Sequence, residues 1–141
     1  MSVMREILLH GGVDETFDRS VLFARRMAES FGARLHVLYT VEEPLSAGWT
    51  AEVSAARLPE VHEAMETEAR ERLARLIPLD DQERLGVQVA LRTGPASEEL
   101  VRYTTEHAVD LAIVQARPGD RDMGHARALL DEGRCAVLVL R

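Results

Sequence analysis

The sequence predicts an α/β protein: an open parallel sheet of five strands with helices on both faces, in three layers. Two observations carry this. Short apolar runs alternate with stretches of helical periodicity along the whole chain, the pattern of strands joined by crossover helices. The last third states it most plainly. Leu111-Ala112-Ile113-Val114 is followed by a glycine-bearing polar loop from Arg117 to Gly124, a helical stretch, and the closing run Cys135-Ala136-Val137-Leu138-Val139-Leu140. Two strands joined by a helix are most simply parallel.

The elements follow in order. Ile7-Leu8-Leu9 is a buried-strand run that stops at His10-Gly11-Gly12, where glycines permit a turn. Asp14 or Thr16 is placed to cap the next helix, whose apolar positions Val21, Leu22, Ala24, Ala28 and Phe31 fall at helical spacing. Gly32 is suited to end it. Leu35 to Val41 alternates as a second strand. Glu42 to Pro59 reads as a long connection holding the lone Trp49, and Glu60 to Ile77 as a helix with Val61, Met65 or Ala64, Ala69, Leu73, Leu76 and Ile77 on one face. The opposite face carries Glu63, Glu66, Glu68, Arg70, Glu71, Arg72 and Arg75 and reads as solvated.

Pro78 closes that helix, and Gly86 opens a third strand, Val87 to Leu91. Thr93-Gly94-Pro95 is a turn, after which Ser97 can cap a helix with Glu98 and Glu99 at its positive end and a stripe of Leu100, Val101, Thr104 and Ala108. Asp110 to Gln115 is the fourth strand. Asp122 to Glu132 is a short helix capped by Asp120 or Asp122 and stopped by Gly133, and Ala136 to Leu140 is the fifth strand. The total is five strands and four helices, with no composition break to divide residues 1–141 into two domains.

Composition narrows the function classes. A chain of 141 residues that is 46% apolar can bury a core without disulfides or metal. A net charge of −7 argues against a phosphate-backbone interface, so no nucleic acid is expected as partner. All 17 cationic residues are Arg, and the absence of Lys excludes a Gly-Lys-Ser phosphate loop. No apolar run reaches membrane-spanning length, and the first residues lack the pattern of a secretory leader, so a cytoplasmic location is expected. The single Cys135 reads as a small apolar filler at the entrance to the last strand, although Arg134 beside it could depress its pKa.

Ligands of parallel sheets sit outside the carboxyl ends of the strands, which makes two loops candidates for function. His10-Gly11-Gly12-Val13-Asp14 could turn amides toward an anion, and His10 could act as a base with Asp14 as neighbour. Its spacing is not the three-glycine dinucleotide fingerprint. In Arg117-Pro118-Gly119-Asp120-Arg121-Asp122-Met123-Gly124, two carboxylates offset two guanidiniums, which favours a solvated loop over a phosphate site. His36, His62, His107 and His125 are scattered, without metal-ligand spacing, so no metal is expected. A receiver-domain reading fails because His10, Arg92 and Arg141 stand where its Asp and Lys residues belong.

Nearly the whole chain resembles a universal stress protein domain. Ile7-Leu8-Leu9-His10-Gly11-Gly12, Phe31-Gly32-Ala33-Arg34-Leu35, Val41-Glu42-Glu43-Pro44 and Thr93-Gly94-Pro95-Ala96-Ser97-Glu98-Glu99-Leu100 match in place. Val109-Asp110-Leu111-Ala112-Ile113-Val114 resembles that family's ADLIVVG strand, and Arg134-Cys135-Ala136-Val137-Leu138-Val139-Leu140-Arg141 its closing CPVLVV strand. The resemblance implies sheet order 3-2-1-4-5 and homodimers through the last strand. Many members bind ATP with an Asp at the end of the first strand and, after the fourth, a pattern of Gly, two residues, Gly, nine residues, then Gly with Ser or Thr. Here Gly12 takes the Asp position, Ala116 follows Gln115, Gly119 and Gly124 have other spacing, and the segment to Cys135 is shorter.

The expected function is therefore a non-enzymatic stress-response or regulatory module that does not bind ATP in the family manner and needs no cofactor. The alternative is an adenine-nucleotide binder, taking ATP or AMP, with a modified crevice lined by Gly11, Gly12, Val41, Gly94 and Gly119. In that reading the Val41 backbone would meet the adenine edge. A third reading is a phosphate hydrolase using His10.

Overall fold

The computed structural model describes residues 3–11, 15–41, 51–116 and 123–141. Five strands, β1 (Glu6–Gly11), β2 (Arg34–Val41), β3 (Gln88–Thr93), β4 (Leu111–Gln115) and β5 (Ala136–Leu140), form one all-parallel sheet in the order β3-β2-β1-β4-β5. Among the described residues five helices, α1 (Glu15–Phe31), α2 (Ala51–Leu76), α3 (Leu79–Arg84), α4 (Ala96–Glu106) and α5 (Gly124–Glu132), accompany them.

The strands read as unbroken apolar runs because both faces are covered. Ile7, Leu9, Leu35, Val37, Tyr39, Leu111 and Ile113 point to one side, where they pack with Phe17, Val21, Ala24, Ala28, Ala69, Leu73 and Ile77 of α1 and α2 and their flanks. Leu8, Leu38, Ala112 and Val114 point to the other and meet Leu100, Tyr103, Ala126 and Leu129 of α4 and α5. At the amino edge, the Asp110 carboxylate accepts hydrogen bonds from the amides of Arg5 (2.8 Å) and Glu6 (2.9 Å), stitching the starts of β4 and β1 together.

Several local expectations change. The inward stripe of α1 is Phe17, Val21, Ala24 and Ala28, while Leu22 and Phe31 are 46% and 44% exposed. A period of 3.6 residues continued backward from Val21 reaches Phe17, and Leu22 falls off the stripe. Helix α2 starts at Ala51, not at Glu60, and carries Pro59 within it. Proline costs an internal hydrogen bond, but the flanking Ala55, Ala56, Arg57 and Leu58 are strong helix formers and the helix runs through.

Helix α3 is an additional element, because Pro78 serves as its N-cap and Asp80 and Asp81 sit in its first turn. The third strand is displaced to Gln88–Thr93. Ser97 is not the cap of α4: that position is Pro95, and Ser97 lies inside the helix. Ala108 lies beyond the end of α4 with φ +48 and is exposed rather than on its stripe. Helix α5 begins at Gly124 after Met123, which has no capping side chain. Thr16 lies within α1 rather than before it. Asp14, Trp49, Asp120 and Asp122, named as caps or contacts, lie outside the described residues. Gly133 stops α5 through space: a Cβ there would stand 2.6 Å from the Leu129 carbonyl oxygen.

Candidate functional site

The penultimate residues of β1 and β2, His10 and Thr40, are polar and lie on the α4 side of the sheet. The His10 ring is buried, and its Nε2 lies 2.8 Å from Thr40 Oγ1 on the neighbouring strand. Its ring meets His125 edge to face at 4.9 Å between centroids. His125, the second residue of α5, places Nδ1 2.8 Å from the Ser97 hydroxyl in the first turn of α4. Thr40, His10, His125 and Ser97 thus form a continuous polar row contributed by four elements. One strand further out, Thr93 Oγ1 pairs with His62 Nε2 of α2.

The opposite side of the same end is filled differently. A Cβ on Gly11 would stand 2.3 Å from the Phe17 ring, so only glycine fits beneath it. Phe17 in turn packs edge to face on Tyr39 at 5.5 Å. Gln115 donates through Nε2 to Ser20 Oγ at 2.6 Å. The Ala116 amide donates to the Leu140 carbonyl at 2.7 Å and so continues the sheet. A small cavity of about 10 Å³ lies among Val114, Gln115, Ala116, Met123, His125, Ala126 and Val139. That is room for one water at most.

Of the predicted crevice residues, Gly11, Val41 and Gly94 are brought to this end; Gly12 and Gly119 lie outside the described residues. The Val41 carbonyl accepts the Gly94 amide at 3.0 Å, leaving one lone pair for any other donor. Gly94 has φ +141, and a Cβ there would lie 3.2 Å from Glu99 Oε1. Glu99 is itself buried, 2.6 Å from Arg102 Nη1 and 3.9 Å from Arg92 Nη1.

A second histidine cluster occupies the amino end. His36 Nε2 lies 2.5 Å from Glu6 Oε2, and its Nδ1 lies 2.7 Å from the Tyr103 hydroxyl. Tyr103 stacks on His107 at 4.1 Å, and the Arg92 guanidinium carbon sits 5.1 Å from the Tyr103 ring centre. Burial holds the His36 pKa below its ordinary value, with Glu6 pulling the other way, and pushes the Tyr103 hydroxyl up to about 12. Four of the five histidines are therefore paired in space, His10 with His125 and His36 with His107, while His62 meets Thr93. Among the described residues no group of three or more His, Cys, Asp or Glu is placed to hold a metal ion.

The Cys135 thiol is half-buried, and burial raises its pKa. Arg134 does not activate it. The sequence reading missed Ser20, Thr40 and Gln115. Thr40 and Gln115 are polar side chains within the last two residues of apolar strands, and Ser20 faces Gln115 from α1.

A strand order of 3-2-1-4-5 with helices on both faces is shared with known proteins. The universal stress protein family model matches residues 11–141. The chain belongs to the universal stress protein family. UspA from Lactobacillus plantarum is 20% identical, with 97% of each chain covered and a TM-score of 0.72. A universal stress protein solved in complex with cAMP is 15% identical, with 97% of this chain and 96% of that one covered and a TM-score of 0.63. The Archaeoglobus fulgidus universal stress protein in complex with dAMP is 15% identical over the full length of both chains, with a TM-score of 0.57. At these identities the likeness shows the fold alone. No match was found among curated proteins.

Proposed function

We propose that this universal stress protein is a stress-response or regulatory module that acts by binding rather than by turning over ATP, and that it does not hold a triphosphate in the family manner. One observation carries this reading. Around β1 and β4, the groups at the carboxyl end are already engaged with one another: Phe17 fills the space over Gly11, Gln115 is bonded to Ser20, and the Ala116 amide is used by Leu140. A phosphate cradle needs amides turned outward at that place. The departures from the family's glycine pattern in the sequence support the same reading, as does the net charge of −7.

Calorimetric titration with ATP, AMP and cyclic AMP tests it. ATP should give no micromolar binding. Saturable micromolar binding of ATP would overturn the reading. A second reading, an adenine-nucleotide binder with a modified site, is favoured by the fold shared with proteins solved with cAMP and dAMP. It predicts binding of the monophosphates without ATP.

The partner proposed is a second copy of this chain. Strand β5 is the edge of the sheet, bonded to β4 on one side, and Val137, Leu138, Val139 and Leu140 along it are each only partly buried. An apolar edge strand is a template for pairing. Sedimentation equilibrium should give twice the chain mass, and a monomer at high concentration would exclude the pairing. Among the described residues no helix is long and apolar enough to cross a membrane; a cytoplasmic location is proposed on the sequence grounds given above.

A further inference from the structure

Each described hydroxyl–imidazole pair in this protein invites the question whether the hydroxyl is a nucleophile. Three pairs lie toward the carboxyl end of the sheet: Thr40 with His10, Thr93 with His62, and Ser97 with His125. Tyr103 with His36 lies at the other end and is almost wholly enclosed. They are not equivalent. Thr40 and Thr93 are secondary hydroxyls on strands whose residues are paired in the β2–β3 ladder. Ser97 is a primary hydroxyl, partly buried, in the first turn of α4. The amides of Ala96, Ser97 and Glu98 in that turn have no acceptor within the helix, and the N-cap is Pro95, which has no side chain able to cap them.

We infer that Ser97 is an acyl-acceptor site, with His125 as its base. The ligand class is an activated acyl ester. The step goes beyond the nucleotide question, since no nucleotide takes part. With the ring proton on Nε2, His125 Nδ1 accepts the Ser97 hydroxyl proton as Oγ attacks the ester carbonyl carbon. The C=O π pair moves to the oxygen, which the first-turn amides of α4 are placed to stabilise. On collapse the bond to the leaving alkoxide or phenoxide breaks, and that oxygen takes the proton from His125. The products are a Ser97 ester and a free alcohol or phenol, with no oxidant, metal or second substrate required. His10, in T-shaped contact with the His125 ring and itself tied to Thr40, restrains that ring.

An acyl group is favoured over a phosphoryl group for an electrostatic reason. Glu98 and Glu99 directly follow Ser97, and the chain carries a net charge of −7. A phosphoryl donor would bring further negative charge to this turn, whereas an ester brings none.

The composition makes the test unusually clean. The chain has no Lys, so acylation has no lysine amine to divert it. The single thiol, Cys135, is half-buried and burial raises its pKa, and the two tyrosine hydroxyls are pushed up to about 12. Incubating the full chain with p-nitrophenyl acetate should release a burst of p-nitrophenol approaching one equivalent. Intact and peptide mass spectrometry should find one acetyl group on Ser97.

Ser97→Ala should abolish the burst and the adduct. His125→Gln should slow acylation by about 100-fold or more. Cys135→Ala should leave both unchanged. Circular dichroism spectra matching the parent protein establish that each variant is folded. Because Ser97→Ala and His125→Gln alter different elements, the failure of one variant to fold leaves the other to decide. An adduct confined to the α-amino group or Cys135, or labelling of Ser97 no slower in His125→Gln, would overturn the inference. So would labelling no faster than that of the heat-unfolded chain. Nucleotide binding is measured separately by calorimetry, so failure of either proposal leaves the other standing.

Discussion

Helix α4 closes two polar clusters against the sheet, one at each end, and they are built to opposite ends from similar parts. At the amino end His36 is held on both nitrogens, by the Glu6 carboxylate and the Tyr103 hydroxyl, and is 1% exposed. At the carboxyl end two imidazoles lie edge to face, and the row finishes on the partly buried hydroxyl of Ser97. An imidazole with a carboxylate on one side and a phenol on the other is a clamp. It joins β1, β2 and α4 around a buried ring. An imidazole whose partner is a partly exposed primary hydroxyl can pass that partner's proton on. The same residue type thus serves fold at one end and chemistry at the other, and the surroundings make the difference.

The largest expected effect tests the clamp. His36→Ala removes the bridge, strands the Glu6 carboxylate and the Tyr103 hydroxyl, and opens a void, so unfolding stability should fall by about 2–4 kcal/mol. Urea denaturation measures it, and a loss below a few tenths of a kcal/mol would show that the amino-end cluster is not structural. At the carboxyl end Thr40→Val keeps the shape and removes one partner of His10, with an expected cost of about 0.5–1.5 kcal/mol by the same measurement. If Thr40→Val costs as much as His36→Ala, the contrast between the ends fails.

The third test sharpens the comparison through pH. Burial depresses the folded-state pKa of His36 below 6.5, against the opposing pull of Glu6. His107 and Arg34 act in the same direction as burial. The unfolded chain therefore takes up the proton first. The stability contribution is fully present above about 6.5, declines as pH falls from there toward the folded value, and changes no further below it. Thermal midpoints taken from neutral to mildly acid pH should fall, with a shallower fall in His36→Gln. Equal slopes in the two proteins would remove His36 as the source.

The sheet was legible in the sequence because strands buried on both faces are runs of apolar residues, and Ile7-Leu8-Leu9 and Leu111 to Val114 have no competing interpretation. Helix ends were less legible. Pro59 looks like a boundary, but helix formers on both sides carry α2 through it, and Ser97 looks like a cap where Pro95 takes that place. The clusters were not legible at all. His10 finds Thr40 30 positions away, and His36 finds Tyr103 67 positions away, contacts that exist only once the strand order is fixed. The family resemblance supplied that order, but without the register it could not say which polar residues would meet.

Asp110 adds a constraint of timing. Its carboxylate ties down the amides of Arg5 and Glu6 across 105 and 104 residues, and β1 lies between β2 and β4 in the middle of the sheet. The first strand of the sheet is thus flanked on both sides only once the fourth has been made. Closing so long a loop is slow relative to local pairing. During synthesis Ile7, Leu8 and Leu9 have β2 on one side and nothing on the other until Leu111 to Ile113 emerge. That interval is when a nascent chain of this topology most needs a holdase.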